Sequence, residues 1–297
     1  MIDLHTHTTV SDGGDSPSEL VARAGELGID AIAVTDHDND SGCAEAIAAG
    51  AALGVEVIAG VEISCDVDAL GERGLQPAQR PTMHLLGYFI PAEDNPLSDA
   101  LAELQEARAG RNRRMVARLN ELGIPLTFEE VEAEAGGPGA QIGRPHFAAV
   151  LVRHGAAPDY QAAFDRYLAK GAPGYLSRKL YKPEEAIELM QLAGVVPVLA
   201  HPFTLYLDDT DLESFVADLA AAGLGGIEGW HGDLPADAQQ RYRDLGATLN
   251  LVVTGGSDYH GHMRPDRPLR GGKHGVVVPP ECLEDLRAAA RARTRAR

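Results

Sequence analysis

The sequence predicts an α/β fold in which two α/β segments close one sheet or barrel, with a helical subdomain inserted between them. Two observations predict it. Short apolar, strand-like runs alternate with amphipathic helical patterns near both ends of the chain, whereas helical patterns alone follow one another in between. Of the 297 residues, 44% are hydrophobic and 24% are charged, which is typical of a globular protein with a sizeable core. We expect residues 1–97 and 178–297 to form the α/β part and residues 98–177 the insertion.

The first α/β segment alternates regularly. Strands are predicted at residues 1–5, 31–35 and 55–62, helices at 17–28 and 42–53, and a further strand-like run at 84–89. The first helix has a clear start, because Ser16 can serve as N-cap, Pro17 takes the first helical position and Glu19 completes a capping box. This alternation predicts βαβ units and therefore a parallel sheet.

The insertion and the second α/β segment follow. Within the insertion, helices are predicted at residues 97–122, 145–154 and 159–169, and another begins at Thr127, where Glu130 completes a second capping box. Thereafter strands are predicted at residues 195–200, 226–228 and 247–254, and helices at 183–192, 211–222, 235–245 and 280–290. The return of the alternation predicts that this segment completes the sheet that the first one began.

Composition excludes several classes of protein. The formal charge of −18 disfavours binding of long nucleic acid over a broad surface, because each phosphate contact would oppose the overall field. No run approaches the roughly 20 apolar residues that span a bilayer, and no secretory signal follows Met1. The three cysteines include no CxxC pair, which suits reduced thiols and predicts a cytoplasmic protein.

Polar side chains recur where the predicted strands end. They are His5 and His7, His37, Glu62, His201, and Asp258 with His260. In parallel βα architectures these strand ends share one rim, so residues far apart in sequence are expected to converge there. The spacing of His5 and His7 places both imidazoles on one strand face. Mixed imidazole and carboxylate ligands suit Zn, Mn or Fe, and the pattern therefore predicts a metal centre.

The order and content of these motifs resemble those of the polymerase and histidinol phosphatase (PHP) family of metallophosphoesterases. The motifs are DLHTH (3–7), SDG (11–13), TDHD (35–38), GVE (60–62), AHP (200–202) and GSDYH (256–260). The resemblance implies a distorted (βα) barrel, capped at its active site by the helical insertion, with three ion positions. It implies the ligand sets His5, His7, Glu62 and Asp258; Glu62, His84 and His201; and Asp12, His37 and His260. Asp3 is expected to support one of the imidazoles.

The predicted chemistry is hydrolysis by metal-activated water. No GxSxG elbow or P-loop occurs, so a hydroxide formed at two or three divalent ions is the expected nucleophile, with Mn as the expected metal and Zn or Fe as alternatives. Asp258 or His201 is expected to transfer the proton, and His231 to contact the scissile phosphate or protonate the leaving group. Amide or ester hydrolysis by a similar metal pair remains open.

Substrate contacts are expected from the insertion. Arg111, Arg114 and Arg118 share one face of the long helix, and only Arg118 has an acidic helical partner. Anion binding and a solvated charged face are both open interpretations. Arg144 and His146 lie in a GRPH segment that opens another helix, where free N–H groups and a guanidinium suit a phosphate, although Pro145 also has a purely structural explanation.

The insertion, with its arginines and its GRPH segment, most resembles the branch of the family that contains 3',5'-nucleoside bisphosphate phosphatases and short-RNA 5'-3' exonucleases. That resemblance implies hydrolysis of the 3'-phosphate of a small bisphosphorylated nucleotide, or action on a short RNA end. Histidinol phosphate is an alternative substrate, but its cationic amine needs acidic contacts, and its single phosphate does not require a cluster of arginines. A polymerase proofreading module and a non-enzymatic RNA-binding protein are less favoured, and the oligomeric state is left open.

Overall fold

The computed structural model describes residues 1–93, 95–137, 140–270 and 274–295. The strands are β1 (Ile2–Thr6), β2 (Ala31–Val34), β3 (Glu56–Ser64), β4 (His84–Tyr88), β5 (Val196–Leu199), β6 (Gly226–His231) and β7 (Val252–Gly256). The helices are α1 (Pro17–Glu26), α2 (Cys43–Leu53), α3 (Asp68–Glu72), α4 (Pro96–Glu121), α5 (Phe128–Glu134), α6 (Arg144–Arg153), α7 (Tyr160–Ala163), α8 (Pro183–Ala193), α9 (Asp209–Ala221), α10 (Ala236–Thr248) and α11 (Glu281–Arg295). The predicted α/β class is confirmed.

The strands of the described residues form one sheet in the order β1 to β7, and it is not purely parallel. Strands β1 to β3 run parallel, as do β5 to β7, but β4 pairs antiparallel with both of its neighbours. The parallel sheet predicted from the alternation is therefore wrong at β4. A parallel pair is usually joined by a helix that crosses the face of the sheet, and the segment between β3 and β4 contains only the short helix α3.

The sheet curls until its first and last strands meet at one end. His7 N donates to Tyr259 O at 2.9 Å, and Thr6 forms an isolated bridge with Tyr259 just beyond β7. The approach is close enough to require a glycine at residue 256, because a Cβ there would lie 2.5 Å from His5 Cβ. The result is the nearly closed, distorted barrel that the sequence predicts.

The helical insertion has its own hydrophobic cluster. Helix α4 contributes to two cores: Leu97, Leu101 and Leu104 pack in the barrel cluster, whereas Met115 and Leu119 pack in the cluster of the insertion. The remaining members of the insertion cluster come mainly from α5, α6 and the segment through residue 168. The rigid helix α4 thus joins the barrel to the insertion, and the division at residues 98 and 177 stays a prediction.

Several element boundaries differ from the sequence prediction, and three of the differences are informative. Helix α10 continues to Thr248, so the first residues of the strand predicted at 247–254 are helical and β7 begins only at Val252. Strand β3 continues past Glu62 to Ser64, because it gains the antiparallel partner β4. The helix predicted at 159–169 is a short α7 followed by a π-helical turn, Phe164–Leu168. Within the described residues, no helix is long and apolar enough to cross a membrane.

Candidate metal centre

The candidate site lies at the rim where most strands end. Three non-glycine residues just beyond strands β2, β5 and β7 have left-handed backbone: Asp38 (φ 53°), His201 (φ 26°) and Asp258 (φ 53°). Such a conformation costs an L-residue roughly 1–3 kcal/mol and persists where the surrounding fold fixes it, which is frequent at functional sites. The chain therefore turns sharply at these three points of the rim.

The predicted ligands converge in overlapping groups, within which one donor atom per residue lies within 4.8 Å of the others. The groups are His5, His7, Glu62 and Asp258; His7, Asp12, His37 and His260; and His37, Glu62 and His84. His201 adjoins the last group, since its Nε2 lies 3.3 Å from His84 Nδ1. All of the predicted ligand positions are thus brought together, with His7, His37 and Glu62 each shared between two groups.

Glu62 lies at the centre of these groups. Its Oε1 is 2.8 Å from His84 Nδ1 and 2.8 Å from His201 Nε2. Its Oε2 is 3.0 Å from His37 Nδ1 and 3.2 Å from His7 Nε2. A carboxylate can bridge two ions through separate oxygens, whereas an imidazole nitrogen has one lone pair. The two oxygens of Glu62 face different histidines, which is the arrangement that a bridging ligand requires.

The candidate ligand atoms also have the chemistry and the lack of hydrogen-bond partners that are expected of a cation site. Several of them are buried and have no hydrogen-bond partner within the described residues: His5 Nε2, both ring nitrogens of His7, Asp12 Oδ1, His37 Nδ1 and Glu62 Oε2. Buried polar atoms are normally paired, so a cluster of unpaired ones needs an explanation. Imidazole nitrogens and carboxylate oxygens pointing at one another fit Zn, Mn or Fe, which would satisfy them together.

His84 reaches the site because β4 is antiparallel. In a parallel strand, a residue at the start of the strand would lie at the opposite end of the barrel from the other ligands. Here His84 begins β4 and pairs in register with Ser64 at the end of β3. The reversal of one strand therefore converts a strand-starting histidine into a rim residue.

The electrostatics of the group favour bound cations. Burial raises the pKa of Glu62, but the imidazoles of His84, His37 and His5 hold it well below its usual range. Burial lowers the pKa of His37 to about 3, although Glu62 and Asp12 oppose this change. Burial likewise lowers the pKa of His5, yet Glu228 and Glu62 raise it to about 10. Ionised carboxylates and neutral His37 are the metal-binding forms, whereas His5 must exchange a proton for the cation.

Support for the imidazoles comes from Glu228, and the role predicted for Asp3 is wrong. The Asp3 carboxylate accepts hydrogen bonds from Ser257 N at 2.9 Å and Ser257 Oγ at 2.6 Å, so it fixes the segment before Asp258. Glu228 Oε1 lies 3.0 Å from His5 Nδ1. Burial raises the pKa of Glu228, but the neighbouring His5 and His231 lower it to about 2. An ionised carboxylate thus lies beneath the candidate ligands.

A cavity of about 490 Å³ opens above the candidate ligands, and arginines from the insertion line its other side. Arg108 and Arg178 both donate to Asp38 Oδ2, the second at 2.7 Å. Arg111 is buried, its Nε has no hydrogen-bond partner, and it forms no ion pair within the described residues. Burial, together with the like charges of Arg108, Arg144 and Arg178, lowers the pKa of Arg111.

Arg144 completes this arginine cluster, which we define as Arg108, Arg111, Arg144 and Arg178. Its guanidinium lies over the rings of Phe164 and Tyr175, at 6.0 and 5.8 Å from their centroids, and it has no ion pair among the residues described. Within this cluster, Asp38 pairs with Arg108 and Arg178, whereas Arg111 and Arg144 have no carboxylate partner among the described residues. A buried excess of positive charge is costly unless an anion neutralises it.

Five predicted site residues lie outside the cavity lining: His5 and His7, which belong to the candidate metal centre, and Arg114, His146 and His231. Arg114 is exposed on α4, with its guanidinium 3.5 Å from Ser177 O. His146 is buried and its Nδ1 accepts a hydrogen bond from Gly143 N, which caps α6. His231 is buried, its ring lies 5.0 Å from that of Phe203, and its Nδ1 accepts from Asp233 N. The latter two thus contact the residues that line the cavity.

Sequence reasoning missed Arg178, Arg267 and the contact of Glu228 with His5. Arg267 lines the cavity and its guanidinium pairs with both Asp258 and Asp233. Glu228 carries one detectable signal, since it is the charged residue in an otherwise apolar predicted strand. The two arginines carry none, because their partners are distant in sequence and lie in loops.

Comparisons with known proteins agree with this geometry. The PHP domain profile matches residues 3–170. The chain is 34% identical to a 3',5'-nucleoside bisphosphate phosphatase of Chromobacterium violaceum, over 95% of this chain and 93% of that protein. It is 32% identical to a 5'-3' exoribonuclease of Haemophilus influenzae, over 87% of this chain and 89% of that protein.

A solved structure also resembles the whole fold. A proposed metal-dependent phosphoesterase of Bifidobacterium adolescentis superposes with a TM-score of 0.81 at 29% identity, covering 97% of this chain and 96% of that one. Similarity therefore extends through the barrel and the insertion, and the family profile covers more than half of the chain. The chain belongs to the PHP family and is a metal-dependent phosphoesterase.

Proposed function

We propose that this enzyme removes the 3'-phosphate from small 3',5'-bisphosphorylated nucleosides. One observation carries the proposal: a single cavity of about 490 Å³ has candidate metal ligands on one side and the arginine cluster on the other. Its volume lies within the roughly 300–1,000 Å³ typical of small-ligand sites. A substrate with two phosphates would neutralise both sides, whereas a substrate with one would leave buried arginines unpaired.

Divalent ions, with Mn as the proposed metal and Zn or Fe as alternatives, would add positive charge at the scissile phosphate and lower the pKa of an attacking water. The proposed ligands of the first position are His5, His7, Glu62 and Asp258. Those of the second are Glu62, His84 and His201, and those of the third are Asp12, His37 and His260. The convergence and the unpaired donor atoms described above support these sets.

The arginine cluster would hold the second phosphate. Arg111 and Arg144 form no ion pair within the described residues and both line the cavity, so, apart from the contact of Arg144 Nη1 with Leu168 O at 3.4 Å, their guanidinium N–H groups are available to an anion. The N-terminus of α6, which His146 caps through Gly143, lies beside Arg144 and favours negative charge. Arg114 is exposed on α4, so it would contribute at most a long-range electrostatic attraction for the phosphate and no direct contact.

Asp258 and His201 are the proposed proton-transfer residues, because both line the cavity beside Glu62. Arg267 pairs with Asp258 Oδ2, which leaves Oδ1 facing the imidazoles of His5 and His7. His231, the third proposed catalytic residue, lies beneath Phe203 and would reach a leaving group only after that ring moves.

A second candidate function is 5'-3' exonuclease action on short RNA. The exoribonuclease relative favours it, and a 5'-phosphate could occupy the arginine cluster while the next phosphodiester lies at the metals. Histidinol phosphate is a weaker candidate, because its cationic amine would meet arginines. The three cysteines are buried and unpaired in the structure, which supports the proposal of a cytoplasmic protein acting on a soluble metabolite or a short RNA end.

The test measures, with the Mn-loaded enzyme, phosphate release from adenosine 3',5'-bisphosphate, adenosine 3'-monophosphate and histidinol phosphate, and mononucleotide release from 5'-phosphorylated triribonucleotides. We expect kcat/KM for the bisphosphate to exceed that for the monophosphate by about 10- to 100-fold, because hydrogen bonds to charged groups contribute roughly 1.5–3 kcal/mol. Equal values for the two adenosine compounds, or a preference for histidinol phosphate, would contradict the proposal. Faster cleavage of the triribonucleotide would favour the exonuclease instead.

A further inference from the structure

Glu228 contacts two candidate ligands without reaching the cavity. It lies in the middle of β6, is fully buried, and is absent from the cavity lining. One carboxylate oxygen, Oε1, lies 3.0 Å from His5 Nδ1, and the other, Oε2, accepts a hydrogen bond of 2.6 Å from His201 N. His5 belongs to the proposed first ion position and His201 to the second. The same side chain therefore touches both groups from below.

We propose that Glu228 is a positioning residue that fixes the tautomer of His5 and the backbone of His201, and thereby sets the metal affinity of both positions. The inference rests on the proposed metal centre. It assigns to Glu228 no contact with substrate, water or ion.

The contact with His5 determines which ring nitrogen is free. A carboxylate oxygen only accepts, so His5 Nδ1 must carry a proton and Nε2 must offer the lone pair. That Nε2 lies 3.4 Å from Glu62 Oε2 and 3.5 Å from Asp258 Oδ1, and it has no hydrogen-bond partner within the described residues. A histidine whose second nitrogen is held in this way is pre-oriented toward a cation.

The contact with His201 holds a strained turn. His201 has φ 26° and ψ 63°, outside the conformations that a non-glycine residue favours, and its backbone N–H points at Glu228 Oε2. The His201 ring depends on that backbone to place Nε2 2.8 Å from Glu62 Oε1. Without the hydrogen bond, the turn loses the interaction that offsets its strain, and the ring is free to move away from Glu62.

Only a carboxylate can serve both partners. His5 Nδ1–H and the His201 N–H are both donors, and a carboxylate offers one acceptor oxygen to each. The amide of a glutamine has the same shape but one acceptor and one donor group, so Glu228→Gln must lose one of the two hydrogen bonds. If its NH₂ faces His5, it also favours the wrong tautomer.

The decisive experiment compares Zn²⁺ affinity and stoichiometry in wild type and in the Glu228→Gln, Glu228→Asp, His5→Ala and Asp15→Asn variants by chelator competition. We expect Glu228→Gln to bind Zn²⁺ roughly 10- to 100-fold more weakly, as is typical when a ligand's supporting hydrogen bond is lost. Glu228→Asp keeps both acceptors and should fall between wild type and Glu228→Gln. Asp15→Asn, which removes a buried carboxylate bonded to Arg23 and Tyr259, should bind as wild type does.

Unchanged Zn²⁺ affinity in Glu228→Gln, together with weaker binding in His5→Ala, would overturn the positioning role and leave the metal centre standing. Unchanged binding in His5→Ala would instead refute the metal centre. A second measurement does not require the variant to fold: in ¹⁵N-histidine-labelled, Zn-loaded wild type, His5 Nδ1 should carry a slowly exchanging proton. An unprotonated His5 Nδ1 would overturn the inference.

Discussion

The candidate metal centre and the arginine cluster face each other across one cavity and differ in how their charges are compensated. In the metal centre, carboxylates alternate with imidazoles, and His5 and His201 are each held from below by Glu228. In the arginine cluster, two guanidinium groups, Arg108 and Arg178, share the carboxylate of Asp38, and the other two form no ion pair within the described residues. The metal centre therefore has unpaired ligand atoms that can bind cations. The arginine cluster has unpaired positive charges that can bind an anion. A cavity with this polarity fits a ligand that carries phosphate at both ends.

The two regions also differ in rigidity and origin. The metal centre is built on strand ends and on the turns just beyond them, and strand register places some ligands directly, as in the pairing of His84 with Ser64. The arginine cluster is assembled from helix α4, the start of α6 and the irregular segment that contains Arg178. Residues on regular elements hold their geometry more closely than residues on loops, so His84 should be preformed and Arg178 adaptable.

The largest expected effect comes from Glu62→Gln in the metal centre. The substitution removes the charge of the carboxylate that lies closest to several histidines, and the amide nitrogen cannot bridge ions. We expect loss of at least one bound metal ion and a fall in kcat of roughly 1,000-fold, because a catalytic ion contributes several kcal/mol. Elemental analysis and phosphate release measure the two effects. Full metal content with wild-type kcat would show that Glu62 is not a ligand.

The next effect concerns stability and the arginine cluster. Asp38→Asn leaves Arg108 and Arg178 buried without their shared carboxylate, and breaking a buried pair in this way costs about 3–5 kcal/mol of unfolding free energy. Urea denaturation measures it, and added inorganic phosphate should restore part of the loss by binding the folded form. Asp209→Asn, which removes an exposed partner of Arg241, is the control and should change little. Equal effects for the two variants would mean that the cluster is not under electrostatic strain.

The smallest effect separates Arg111 from Arg114. Arg111→Met should raise KM for the bisphosphate by about 10- to 100-fold and leave a simple aryl phosphate almost unaffected, since a charged hydrogen bond contributes roughly 1.5–3 kcal/mol. It should also stabilise the free protein, because a buried unpaired charge is removed. Arg114→Met, on the same helix but exposed, should change neither KM nor stability measurably. Equal changes in KM for both variants would show that the net positive charge of α4 affects substrate binding and that Arg111 makes no specific contact with the substrate.

The sequence by itself determined the α/β class and indicated a helical insertion and most of the candidate metal ligands, whereas Asp12 and His84 were assigned through the resemblance to the PHP family. It could do so because ligand spacing and strand periodicity are local: His5 and His7 share a face in any strand, and residues after parallel strands meet at one rim. The capping boxes at Ser16 and Thr127 are equally local, and both are present in the structure.

Only the tertiary structure decided which residues support the ligands of the candidate metal centre and which residues lie across the cavity from them. The antiparallel direction of β4, the placement of Glu228 under His5 and the replacement of Asp3 in that role depend on strand pairing between distant segments. The arginines show the same limit. Helical spacing put Arg111 and Arg114 on one face, but the tertiary packing around α4 buried the first and left the second exposed. Burial and long-range pairing are properties of the folded chain, and they determine which charges lack a partner.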